Sequence, residues 1–217
     1  MRHALAPLAA LLLASCATTP APSPQDRFWT ALQSHCGKAY DGKLVSTDAR
    51  DASFPQARLV AHWAECDTDR TAIAFHTMDF GAADEPVWDR SRTWVLTRER
   101  IENAATSTTV QITLKHDHRH ADGEADAVTF YGGTTATRGT AQGQDFPVDP
   151  FSIALFKRAG LATSVTNVWR MEVDPAGTPD ATFAYQLTRR NDPSRLFRVE
   201  FDLTEPVGPP PPAWGWE

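Results

Sequence analysis

Residues 109–123 read TVQITLKHDHRHADG. Val110, Ile112 and Leu114 alternate with Gln111, Thr113 and Lys115, and successive side chains of an extended strand point to opposite faces. The alternation predicts a strand with one face in a core and the other in water. Continued in phase, it places His116, His118 and His120 inward and Lys115, Asp117 and Arg119 outward. These are three of the chain's seven histidines, and they make this strand the leading candidate for chemistry.

Asp122-Gly123 closes the run with a two-residue hairpin signal, because such turns need positive φ at their centre. A return arm over Glu124–Tyr131 would set Ala121 opposite Glu124, His120 opposite Ala125, His118 opposite Ala127 and His116 opposite Thr129. Arg119 would meet Asp126 on the solvent side. Small residues would then face the histidines and leave room beside them.

Zinc is the one cofactor this pattern suggests, since imidazole nitrogens bind it at roughly 2.0–2.1 Å in tetrahedral sites. In a straight strand His116 and His120 lie about 13 Å apart at Cα, too far for both to join one tetrahedron. A zinc site on His116, His118 and His120 therefore needs a bent strand or a ligand from His62, His76, Asp122 or Asp126. The competing reading is a polar strand end whose histidines bond to neighbours and water.

Similar short alternating runs recur at Arg58–Cys66, Thr71–Met78, Arg92–Arg98, Ser164–Val173, Thr182–Thr188 and Leu196–Leu203. In the last, Phe197, Val199, Phe201 and Leu203 face one way and Arg198, Glu200 and Asp202 the other. Ser23-Pro24 caps a helix over Gln25–Cys36, ended by Gly37. Asp149-Pro150 caps a second over Phe151–Ala159, ended by Gly160. The Gly/Thr-rich stretch from Tyr131 to Thr140 has the composition of a turn and an edge strand. The pattern predicts a mainly β fold: an antiparallel, lipocalin-like barrel of about 8–10 strands with an N-terminal helix and one inserted helix. A β-sandwich is the alternative. Residues 25–205 would form this one domain. Arg92 and Arg98, with Thr129 and Tyr131 of the return arm, are candidate ligand contacts in a barrel mouth, although solvent-facing arginines are common.

The chain begins MRHALAPLAALLLASC. A basic n-region precedes an apolar stretch too short to span a bilayer as a mature helix. Leu13-Ala14-Ser15-Cys16 resembles a bacterial lipobox. Residues 1–15 would be removed, and Cys16 would carry the lipid that anchors the protein in the membrane. Residues 16–24 (CATTPAPSP) would form an extended tether. Ala17, in place of the aspartate associated with inner-membrane retention, points to the outer membrane facing the periplasm. Cys36 and Cys66 remain as an even pair in an oxidising compartment and are expected to form a disulfide. The loop they close, about 30 residues, implies roughly 3–4 kcal/mol on the loop-entropy model. The net charge of −6 argues against nucleic acid, which requires clustered basic charge.

Residues 206–217 end the chain as PVGPPPPAWGWE. Four consecutive prolines favour a stiff polyproline II segment. Trp214 and Trp216 are anchors for docking on the barrel or on an envelope protein partner.

The cysteine pair, the SRTWVLTR run at Ser91–Arg98, LKHDHRH at Leu114–His120, NVW at Asn167–Trp169 and the Pro/Trp-rich end together resemble a family of uncharacterised bacterial secreted proteins and lipoproteins. The resemblance implies export and a shared fold, and brings no activity or catalytic residues with it. The chain has no Gly-x-Ser-x-Gly elbow. The expectation is a non-catalytic envelope lipoprotein that binds a small or lipidic ligand or serves structurally. The alternative is a zinc-binding protein or metal-dependent hydrolase on the histidine cluster.

Overall fold

The computed structural model describes residues 21–51, 58–81, 85–103 and 107–217. The expected signal segment, Cys16 and the first part of the expected tether lie outside them. Ten strands follow one another: β1 (Ala39–Leu44), β2 (Arg58–Asp67), β3 (Arg70–Phe80), β4 (Pro86–Asn103), β5 (Ser107–His118), β6 (Tyr131–Thr134), β7 (Gly143–Pro147), β8 (Asn167–Val173), β9 (Thr182–Arg189) and β10 (Asp192–Asp202). All pair antiparallel in one sheet ordered β6-β5-β4-β3-β2-β1-β10-β9-β8-β7. The first strand thus pairs with the last, and the free edges β6 and β7 meet through a bridge between Gly133 and Val148. The Asp149 N–H donates to the Gly132 carbonyl across the same seam at 3.0 Å. The result is a nearly closed up-and-down barrel. The sandwich alternative falls because one sheet curls onto itself.

Missing side chains let β6 approach both its neighbours. At the seam, a Cβ at Gly133 would lie 2.1 Å from the Pro147 carbonyl oxygen, and on the β5 side one at Gly132 would lie 1.8 Å from that of Leu114. Only glycine permits these strands to approach this closely.

Alternation carries most strands as expected. Phe197, Val199 and Phe201 of β10 are buried, as are Trp169, Met171 and Val173 of β8. Their outward neighbours form an ion-pair ladder across the wall. Arg198 holds Glu200 at 2.8 Å and Glu172 at 2.7 Å, and Arg170 holds Glu172 at 2.8 Å and Asp145 at 2.9 Å. Such partly exposed pairs contribute about 0.2–1 kcal/mol each. Inside, aromatic side chains from opposite walls fill the barrel, with Trp63 edge-on to Phe183 at 5.0 Å and Phe75 edge-on to Phe201 at 6.1 Å.

Helix α1 (Pro24–Gln33) closes one end. Ser23 caps it, its hydroxyl accepting from the Asp26 N–H at 3.0 Å. Phe28, Trp29, Ala31 and Leu32 enter the core, each large side chain contributing about 1.5–3 kcal/mol by burial. The Trp29 indole donates to the Thr68 carbonyl in the β2–β3 turn at 3.0 Å. Gly37 ends the segment at φ +75°, and the expected Cys36–Cys66 disulfide ties it to β2. Helix α2 (Pro150–Arg158), capped by Asp149, flanks the opposite, open end.

Three details differ from the sequence reading. The return arm over Glu124–Tyr131 does not form. Gly123 takes its positive φ, and a bridge of Arg119 with Ala125 is flanked by backbone bonds from His120 to Glu124 and from Asp126 to His118, but no strand forms, and the chain rejoins the sheet with Tyr131, not Thr129, opposite His116. Side chains intercept the backbone donors there. Asp122 accepts from the Glu124 N–H, Asp126 from the Val128 N–H, and the Thr129 hydroxyl from the His118 N–H, local bonds that compete with a ladder. Arg119 accordingly pairs with Asp117 at 3.0 Å rather than with Asp126. Two short strands, β1 and β7, also stand where no run was legible.

Residues 206–217 dock on the barrel. The Val207 N–H donates to the Ala39 carbonyl at 2.8 Å and the Trp214 N–H to that of Arg90 at 3.1 Å. This strap crosses the outer wall, so Ala72, Ala74 and His76 of β3 are buried on the outside while Ile73 and Phe75 are buried inside.

Candidate functional site

The open end gathers the site. Strand β4 supplies Arg92 and Trp94, β5 His116 and His118, β6 Tyr131, β9 Tyr185 and Leu187, and β10 Arg195 and Phe197. With Phe75 of β3 they surround a cavity of about 200 Å³. Tyr131, Tyr185, His118 and Leu187 also border a second chamber of about 320 Å³, completed by Asp126, Phe156, Leu161, Asn167, Trp169 and Arg189.

The walls are aromatic stacks. Phe75 lies on Trp94 at 4.8 Å and 11°, Trp94 on Tyr185 at 4.6 Å and 20°, and His116 on Tyr131 at 4.8 Å and 16°. Each histidine facing the cavity has a tyrosine partner. His116 Nε2 meets the Tyr185 hydroxyl at 2.8 Å, and its Nδ1 meets the Tyr131 carbonyl at 3.1 Å. A carbonyl only accepts, so Nδ1 carries the hydrogen and Nε2 accepts from Tyr185. His118 Nε2 meets the Tyr131 hydroxyl at 3.0 Å. Burial lowers the pKa of His116 to about 3, helped by the neighbouring His118. Burial, then the Arg92 charge, lowers that of His118 to about 4. Burial raises Tyr131 to about 12 and Tyr185 well above its ordinary value. These histidines and tyrosines are therefore polar but uncharged at neutral pH.

The rim holds paired charges. Arg195 grips Asp51 with two bonds, at 2.5 and 2.8 Å, and reaches Asp48 at 3.1 Å. Arg92 bonds Asp89 at 2.6 Å. Phe130, just before Tyr131, sits at φ +54°, a region costly for a bulky residue.

Of the expected site residues, His116, His118, Tyr131 and Arg92 meet at the mouth. His120 does not join them. It lies beyond the end of β5 and is exposed. Among the described residues no three His, Cys, Asp or Glu side chains converge on one point, and His120 stands apart from His116 and His118. Both ring nitrogens of His116 and Nε2 of His118 are bonded to Tyr131 and Tyr185. Arg98 is at the closed end, held by Asp69 at 2.8 Å and lying 5.1 Å from the Trp29 ring centre. Thr129 braces Asp117 and the His118 N–H instead of facing the cavity. Asp117 points outward as expected but is buried, because Trp216 and Arg119 cover it.

Tyr185, Trp94, Arg195, Asp51 and Arg189 were not singled out from sequence. Each belongs to an ordinary alternating run or a loop, and only the pairing of distant strands puts them at one mouth.

Compared with protein-family models, with curated proteins and with solved structures, the chain matches none.

Proposed function

We propose that this protein is an exported lipoprotein of the outer membrane, anchored through Cys16, whose barrel binds a small apolar or lipidic molecule at its open end without transforming it. The observation that carries the reading is the pair of adjoining aromatic-walled chambers at the mouth of the barrel. Apolar pockets with a few placed polar groups are the usual form of a small-molecule site. Binding is favoured over turnover because both ring nitrogens of His116 are already bonded to Tyr131 and Tyr185, leaving neither for proton transfer to a ligand. The lipobox residues support the anchor. Helix α1, which follows the tether, sits at the closed end, so an anchored barrel would present its mouth away from its own membrane.

The test is titration of the unlipidated chain (Cys16→Ser) with an apolar fluorophore, beside a Leu187→Trp variant that fills the shared wall. One probe per chain, weakened in the variant at unchanged melting temperature, is expected. A folded parent that binds no probe overturns the reading. Labelling with radioactive palmitate should mark the wild type and not Cys16→Ser.

A further inference from the structure

The other guanidiniums drawn together at the mouth have an acid of their own. Arg195 has Asp51 and Asp48, Arg50 has Asp48 and Asp192, and Arg92 has Asp89. Arg189 is the exception. Half-buried on β9, it donates Nε–H to the Asn167 side-chain oxygen at 3.1 Å and has no carboxylate within ion-pairing distance among the described residues. Arg189 lines the larger chamber, two residues along the strand from Leu187 and on the same face, with Trp169 and Phe156 in the same wall. A cation partly withdrawn from water without an ion pair is unfavourable, and this one adjoins a cavity with one apolar wall.

Resting on the binding reading above, we propose that the larger chamber recognises an apolar carboxylate, its head forked onto Arg189 and its body laid along Leu187, Trp169 and Phe156. A planar guanidinium suits a carboxylate because two parallel N–H donors match its two oxygens. Asp126 lines the same chamber and forms no ion pair with Arg189, its Oδ1 accepting from the Val128 N–H at 3.0 Å. It would repel a second negative charge, which selects a monoanion over a phosphate dianion. Burial, then the Arg195 and Arg50 charges, lower the pKa of Arg189, against the opposing charges of Asp192 and Asp48. The cavity of about 320 Å³ suits either a medium-length alkyl chain or an aromatic ring system. Both sources share the recognised chemistry.

The experiment displaces the bound fluorophore from the unlipidated chain with laurate, 1-naphthoate, dodecanol and dodecylammonium. At least one carboxylate should bind about tenfold tighter than dodecanol, the margin expected of a charge-assisted hydrogen-bond pair, and the better of the two identifies chain or ring. Arg189→Gln should bring that carboxylate down to the level of dodecanol and leave dodecanol unchanged. Arg189→Lys, which keeps the charge and loses the fork, should fall between. Dodecanol or dodecylammonium binding as tightly as both carboxylates overturns the proposal while leaving the cavity reading in place. So does an Arg189→Gln variant, folded by its melting temperature, that binds the carboxylate undiminished. Failure of every probe overturns the cavity reading itself.

Discussion

The indole N–H of Trp216 donates to the Asp117 carboxylate at 2.9 Å. The end of the chain is thereby fastened to the outside of the strand whose inner face carries His116 and His118. Asp117 is almost fully buried and also takes bonds from Arg119 and Thr129. The strap is further held by Arg70, 5.2 Å from the centre of the Trp216 ring, and by Arg90, which donates to the Pro212 carbonyl at 2.6 Å.

Removing the Trp216 indole should therefore weaken the barrel itself. Trp216→Ala takes one donor from a buried carboxylate and uncovers part of the outer wall, at a cost of about 1–3 kcal/mol. Urea unfolding is the measure, and a midpoint equal to that of the parent would show the strap to be a passive tail.

Acid should destabilise the protein over a defined window. His116, His118 and His76 have folded pKa values of about 3, 4 and 4, below the ordinary 6.5. Burial is the main cause for each, joined at His76 by the His62 and Arg90 charges, with Asp89 and the Pro211 carbonyl opposing. The unfolded chain therefore binds protons first. Stability is whole above about pH 6.5 and falls as pH drops towards 4 and then 3, by up to about 1.4 kcal/mol per pH unit for each histidine. His76 offers the cleanest check, because neither ring nitrogen has a partner of hydrogen-bond geometry. His76→Phe should flatten the slope between pH 6.5 and 4, and an unchanged slope would remove His76 from the account.

The seam should reject any side chain. Gly133→Ala drives a Cβ into backbone oxygen rather than into a movable side chain, so the strands must part. We expect at least about 2 kcal/mol of destabilisation, with amide exchange accelerating first at Gly132–Thr134 and Val148. Wild-type melting would contradict the closure geometry.

Breaking the Cys36–Cys66 link, by reduction or as a Cys36→Ser/Cys66→Ser pair, should cost about 2–5 kcal/mol. The loss should show as a lower thermal midpoint, with α1 released before the barrel opens. Equal midpoints for the oxidised and reduced protein would contradict this.

Short-range regularity made much of the molecule legible from sequence. Alternation along β2, β3, β5, β8, β9 and β10 marked strands, because a side chain's face is set by its own backbone. Ser23 and Asp149 marked helix starts because a cap satisfies donors within three residues. The sequence likewise placed His116 and His118 inward. It misread the stretch after His118, where Asp122, Asp126 and Thr129 compete locally with the ladder that the Asp-Gly signal predicted.

What only the tertiary structure decided is what each face meets. Tyr185 reaches His116 across 69 residues of chain, and Arg189 reaches Asn167 across 22. The second follows from the direct pairing of β8 with β9, but the first joins β9 to β5, which meet only because the sheet curls onto itself. Asp117 and His76 point away from the core, as alternation requires, yet they are buried under a strap that arrives from the far end of the sequence. Periodicity is a property of neighbouring residues and assigns a side chain its direction. The partner waiting there is set by closure, which no local pattern contains.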